Sequence, residues 1–156
     1  MTAGSNDICG TGNDNRDAKT GLCGNHAYSL LSAYELKKSS NGEYRLLKSG
    51  EKSSRQNERI VELRNPWGKG EWKLKWSDND PNWNPSLKKQ LNHSCIEDGR
   101  FFMPFAEFIK YFHDYQVCYY HDDYLYSSQR YSSAMNKPTY LEFVINKSGT
   151  YYFSVN

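Results

Sequence analysis

The sequence predicts an α+β fold in which antiparallel strands dominate and short helices are secondary. Three observations carry this expectation. Apolar runs of five to eleven residues alternate with Asn-Gly, Asn-Pro and Ser/Gly-rich breaks, the spacing of a meander. Aromatic content is 15%, with 13 Tyr and 4 Trp, and wide rings fit pleated surfaces and clefts better than a helical bundle. Helical periodicity is clearest at Phe105, Phe108, Ile109 and Phe112, which recur at i, i+3, i+4 and i+7.

In chain order, residues 1–21 are rich in Gly, Asn, Asp and Ser and read as a loop with little to bury. His26 to Leu36 carries Tyr28, Leu30, Tyr34 and Leu36 on one parity and Ala27, Leu31 and Ala33 on the other, the signature of a buried strand. A short strand is expected at Tyr44 to Lys48, between the Asn41-Gly42 turn and the polar interval from Ser49 to Asn57. The next strand, Arg59 to Arg64, ends at Asn65-Pro66, because proline lacks a donor and restrains the residue before it. Trp67, Trp72, Trp76 and Trp83 are then interleaved with Gly, Asp, Asn and Pro, predicting an irregular loop pinned by its rings. Leu87 and Leu91 mark a short helix, the Phe105 to Phe112 stripe a second, and Tyr115 to Tyr120 a strand. Thr139 to Ile145 and Thr150 to Val155 flank Asn146-Lys147-Ser148-Gly149 as a hairpin. An isolated two-stranded ribbon is marginal in water, so the chain is expected to be a fragment of something longer.

Bulk properties narrow the function classes. A formal net charge of +2 with dispersed Lys and Arg gives no footprint for nucleic acid. No apolar run approaches the roughly 20 residues of a spanning helix, and the start lacks a signal-peptide pattern. An intracellular, cytoplasmic location is expected. Cys9, Cys23, Cys95 and Cys118 are too sparse for a disulfide framework, which favours reduced thiols. The Asn-x-Ser matches at Asn92 and Asn146 are taken as chance.

Two residues stand out chemically. His26 opens one buried strand and Asn65 follows another, so antiparallel pairing would bring them together. In cysteine proteases the imidazole takes the thiol proton, and an Asn oxygen accepts from the other ring nitrogen. On spacing alone, a structural histidine and an ordinary Asn-Pro turn explain the pair more simply.

The surrounding residues change that balance. Gly24-Asn25-His26-Ala27-Tyr28-Ser29 resembles the segment around the catalytic histidine of calpains, and Leu63-Arg64-Asn65-Pro66-Trp67-Gly68 resembles their Arg-Asn-Pro-Trp-Gly segment. Glu71-Trp72, Trp76-Ser77-Asp78, Glu97 to Met103, Phe105 and Phe108 follow the later pattern, so the resemblance spans roughly residues 20–120. It implies a cysteine endopeptidase acting on protein or peptide substrates, of the calcium-dependent type. His26 would be the general base, Asn65 its orienting partner, and Trp67 the cover over their hydrogen bond. It implies residues 1–120 as the second, barrel-like half of a papain-like core, and residues 121–156 as the start of a C2-like β-sandwich entered through His121-Asp122-Asp123-Tyr124. The nucleophilic cysteine and an oxyanion-hole glutamine would belong to a partner subdomain upstream, since no Gln-x-x-x-x-x-Cys-Trp segment occurs here. Alone, the chain is expected to be inactive. Cys23 is no substitute, because three extended residues separate it from His26 by roughly 10 Å. The alternative is a non-catalytic calpain-like binding or regulatory module that lacks the nucleophile.

The resemblance also implies a calcium site built from Glu71, Asp78, the Ile96 carbonyl and Asp98, hard oxygen donors that suit Ca²⁺. Arg100 stands where the family has its last acidic ligand, which speaks against calcium and predicts pairing of Arg100 with the remaining carboxylates. Asp78-Asn79-Asp80 does not begin an EF-hand, since Trp83 and Lys89 occupy the loop's sixth and twelfth positions. Cys23-x-x-His26 and Cys118-x-x-His121 form two potential zinc pairs, but they lie far apart in the chain.

Overall fold

A computed structural model describes residues 1–10, 15–117 and 142–153. The chain divides into two compact units, Met1–Tyr119 and Tyr120–Asn156. The first is built on a six-stranded antiparallel sheet ordered β5-β4-β2-β1-β6, with β3 on the outer end of β2. Its elements are β1 (Thr2–Ser5), β2 (Ala27–Lys38), β3 (Tyr44–Leu46), β4 (Glu58–Arg64), α1 (Pro85–Gln90), β5 (Arg100–Pro104), α2 (Phe105–Tyr111) and β6 (Phe112–Gln116). The expected α+β class holds: the sheet dominates, and both helices are two turns or fewer.

The sheet is covered on both faces, which is why its strands read as apolar at either parity. Tyr28, Leu30, Val61, Leu63, Phe101, Met103, Phe108 and Phe112 belong to one core cluster. Leu36, Ile60, Phe102, Trp76, Trp83, Leu87 and Leu91 form the other. In β5 the alternation is direct, with Phe101 and Met103 in the first cluster and Phe102 in the second. In β2 it is interrupted. Leu30 pairs with Leu63 and Ser32 with Glu62, leaving Leu31 as an inserted residue. This bulge reverses the facing of everything beyond it, so Tyr28 and Leu30 join one cluster while Leu36 joins the other. The shared parity of these residues in the sequence therefore did not mean a shared face.

Two further expectations are corrected. The segment read as a loop, residues 1–21, contains β1, which lies in the interior of the sheet between β2 and β6. Ala3 and Ser5 face inward at 2% and 0% exposure. Gly4 has no side chain to obstruct β6, where a Cβ would meet the Asp114 carboxylate at 2.6 Å. Pairing with strands about 25 and 110 residues away stabilises a segment whose own propensity is poor. The helical stripe is only half buried: Phe108 packs inward, whereas Phe105 and Ile109 are 40% and 57% exposed, and Phe112 already begins β6. α1 follows simple rules. Asn84 caps it by accepting from the Leu87 amide at 2.9 Å, and Pro85 occupies its first turn.

The tryptophan loop is pinned by three of its four rings. Trp72 Nε1 donates to the Lys75 carbonyl at 2.7 Å, and Trp83 Nε1 to the Ser77 carbonyl at 2.9 Å. Trp76 is fully buried. In the second unit, residues 142–153 contain no assigned strand. The Phe143 and Phe153 rings lie 4.4 Å apart, and the Tyr151 hydroxyl donates to the Lys147 carbonyl. The junction at 121–124 and the remainder of the expected hairpin lie outside the described residues.

Candidate active site

His26 lies one residue before β2 and Asn65 one residue after β4. These strands are antiparallel neighbours with Ser29 opposite Arg64, so the ladder carries both residues to the same end of the sheet. His26 Nε2 and Asn65 Oδ1 are 3.0 Å apart. The expected pair is formed.

The orientation of the Asn65 amide is fixed by backbone groups on each side. Its Oδ1 accepts from the Trp67 amide at 3.0 Å, closing an Asx turn, and its Nδ2 faces the Gly70 carbonyl at 3.5 Å. An amide oxygen only accepts, so His26 Nε2 must be the protonated nitrogen. The lone pair of the neutral ring is then on Nδ1, the nitrogen available to a thiol or substrate. Asn65 is fully buried, and its backbone is held equally closely: the Asn65 amide donates to the Gly99 carbonyl at 2.7 Å, and its carbonyl accepts from Gly68 at 3.0 Å. Gly99 is required here. Its φ is +85°, and a Cβ would meet the Asn65 carbonyl oxygen at 2.7 Å.

Trp67 lies over the imidazole, with ring centroids 4.1 Å apart, while Tyr28 meets it edge-on at 4.9 Å. Trp67 remains 51% exposed, so one side of its ring is open to solvent. The backbone of His26 is set from β1. The His26 amide donates to Ser5 Oγ at 3.0 Å, Ser5 Oγ donates to the Cys23 carbonyl at 2.7 Å, and the Ser5 amide donates to the His26 carbonyl at 2.9 Å. Ser5 was not foreseen, because nothing in its neighbourhood distinguishes it from a loop serine. The described cysteines are engaged elsewhere: Cys9 Sγ contacts the Asn15 carbonyl, Cys95 Sγ the Asp78 carbonyl, and Cys23 is buried. Cys118 and His121 lie outside the described residues. Nε2 of His26, committed to Asn65, is not available to a zinc pair.

Two of the residues implied for calcium accept from backbone amides at and beside Gly99. Glu71 Oε1 accepts from the amides of Asp98 and Gly99 at 2.8 and 2.7 Å. Asp98 Oδ1 accepts from the Arg100 amide at 2.8 Å. Burial, the Glu71 charge and a hydrogen bond to Glu71 push the Asp78 carboxyl up to about 6. Ile96 is 65% exposed. The Arg100 side chain does not pair with these carboxylates as expected. It turns instead to Glu62, with Nε–Oε1 at 2.6 Å, and to the carbonyls of Leu91 and Asn92. Among the described residues, no group of three or more His, Cys, Asp or Glu side chains is arranged to hold a metal ion. Glu71 Oε1 and Asp98 Oδ1 are thus engaged by backbone amides, and Arg100, at the position of the last acidic ligand, brings no carboxylate to the set.

A histidine ring nitrogen 3.0 Å from a buried asparagine oxygen matches the His-Asn part of the Cys-His-Asn arrangement of papain-like proteases. The description "calpain family cysteine protease" matches residues 1–119, and the chain belongs to that family. It is 44% identical to calpain-8 of Rattus norvegicus over 64 residues, 39% of this chain and 9% of that protein. It is 33% identical to the calpain-2 catalytic subunit of Mus musculus over 96 residues, 60% and 11% of the two chains. With calpain-5 of Caenorhabditis elegans it shares 32% over 105 residues, 63% and 16%. The match thus covers only 9% to 16% of the length of these curated relatives. Among the described residues, no helix is long and apolar enough to cross a membrane.

Proposed function

We propose that this chain supplies the general base and its orienting amide to a cysteine endopeptidase that cleaves protein substrates in the cytoplasm. The observation that carries this reading is the 3.0 Å contact between His26 Nε2 and Asn65 Oδ1 beneath Trp67. In the reaction, Nδ1 of His26 takes the proton of a thiol supplied by an upstream subdomain, and the thiolate attacks the peptide carbonyl. The imidazolium then returns that proton to the departing amine, and the base activates water to release the acyl group. Asn65 holds the ring in one tautomer through both steps without adding a charge, and Trp67 excludes water from the bond between them.

The test is to join the chain to a calpain-like Cys-bearing subdomain, by fusion or in trans, and to follow cleavage of an unfolded protein substrate. The assembled protein should cleave, the chain alone should not, and His26→Ala or Asn65→Ala should abolish or strongly reduce turnover while the fold is retained. Equal turnover by His26→Ala would remove His26 from the mechanism. Retention of intact protein partners without cleavage by the assembled protein would instead identify a binding module.

A further inference from the structure

Arg100 occupies a position whose connections run directly to the catalytic loop. It pairs with Arg64 across the β4–β5 ladder, and the next step along the two chains is the Asn65 amide to Gly99 carbonyl bond. Its guanidinium is spread over three acceptors: Glu62 on β4, and the carbonyls of Leu91 and Asn92, which follow the last turn of α1. Glu62 is 5% exposed and also accepts from the Tyr34 hydroxyl at 2.8 Å. The Arg100 guanidinium further lies 5.3 Å from the centre of the Phe102 ring. Helix-end carbonyls and a buried carboxylate are groups that a cation stabilises strongly, and the planar fork of arginine reaches all three at once. The Arg100 backbone amide also caps Asp98, whose own amide is held with that of Gly99 by Glu71.

We propose that Arg100 is a positioning residue that serves as a built-in cation: it ties β4, β5 and the end of α1 together beside Gly99 and so holds Asn65 against His26 without a divalent metal. One fixed positive charge, tethered to the chain, joins the buried Glu62 carboxylate to the carbonyls that follow α1, so the arrangement of this end of the sheet does not wait on a bound cation. The consequence for catalysis rests on the reading of His26 as the base, but the geometry does not, and its readouts need no protease activity.

The experiment uses the 156-residue chain. Thermal unfolding and the imidazole Nε2–H proton of His26, observed by NMR, are recorded in EDTA and in millimolar CaCl₂. The expected result is one Tm in both conditions and a protected Nε2–H signal in EDTA. A calcium-dependent rise in Tm, or a signal that appears only with calcium, would overturn the proposal. Arg100→Gln should retain the dispersed core methyl signals while the Nε2–H proton exchanges about tenfold faster or disappears, as expected for a weakened hydrogen bond, and calcium should not restore it. Unchanged protection would overturn the proposal. Should Arg100→Gln fail to fold, Arg100→Lys keeps the charge but loses the fork. Its Nε2–H protection should fall measurably, and wild-type protection in that variant would count against the proposal.

Discussion

Replacing Asn65 with alanine isolates the contact on which the site depends. The substitution removes an oxygen that accepts from His26 Nε2 and from the Trp67 amide, both at 3.0 Å, and a nitrogen that faces the Gly70 carbonyl at 3.5 Å. All of this occurs at a fully buried position. Two good bonds at about 1 kcal/mol each, plus about 1 kcal/mol for a carbonyl left without its donor, give a loss of about 3 kcal/mol. In a unit of this size that corresponds to a fall in Tm of about 10 °C. The same change frees the imidazole. In the native protein the bond to Oδ1 holds the proton on Nε2, and its loss should raise the Nδ1–H tautomer about tenfold. Thermal denaturation reads the first effect and long-range ¹H–¹⁵N correlation of the His26 ring reads the second. A lowered Tm with an unchanged tautomer ratio would mean that Asn65 is only a structural turn residue, and the argument for an oriented base would fail.

Other perturbations separate the remaining parts. Trp67→Ala removes a ring that is half exposed, so global stability should change by less than about 1 kcal/mol, while hydrogen exchange at His26 Nε2–H accelerates. Equal exchange rates would deny the ring its covering role. Gly99→Ala places a methyl group 2.7 Å from the Asn65 carbonyl oxygen at a φ of +85°, and chemical denaturation should register a loss of about 2–3 kcal/mol; a neutral result would contradict the close packing of that turn. Glu51 illustrates pH dependence. Its carboxyl, held by Arg45 and the Lys48 amide, lies well below the ordinary carboxylate range. A depressed folded-state value means stabilisation that is present above the ordinary carboxylate pKa and lost as pH falls below it. Glu51→Gln should therefore lower Tm at pH 7 by an amount that shrinks steadily as pH falls below 4.5, and a constant difference between pH 7 and pH 2 would exclude the charged pair as the cause.

Much of the site was legible because its signals are local. His26 and Asn65 sit at strand boundaries marked by their own neighbours, and the Asn65-Pro66 step stops β4 by removing a donor at the place where the loop must begin. β4 and α1 were also readable, one from a dense apolar run and the other from the spacing of Leu87 and Leu91. The missing pieces depend on contacts far away in sequence. β1 offers only small residues, and its place in the sheet is decided by β2 and β6. β5 went unrecognised inside a segment noted for its likeness to a family pattern, because its alternation between two cores looks like a featureless apolar run. The inserted Leu31 cannot be seen without its partner strand, since the bulge exists only in the pairing register. Arg100 differs for a similar reason: the family resemblance groups it with Glu71, Asp78 and Asp98, whereas the sheet presents Glu62.

The most direct test of His26 as the general base is the pH dependence of thiol alkylation in the protein assembled with a Cys-bearing subdomain. A thiolate held by the His26 imidazolium should react with iodoacetamide at pH values well below the usual thiol range near 8.5, and His26→Ala should move the profile back into that range. Superimposable profiles for the two proteins would contradict the central claim.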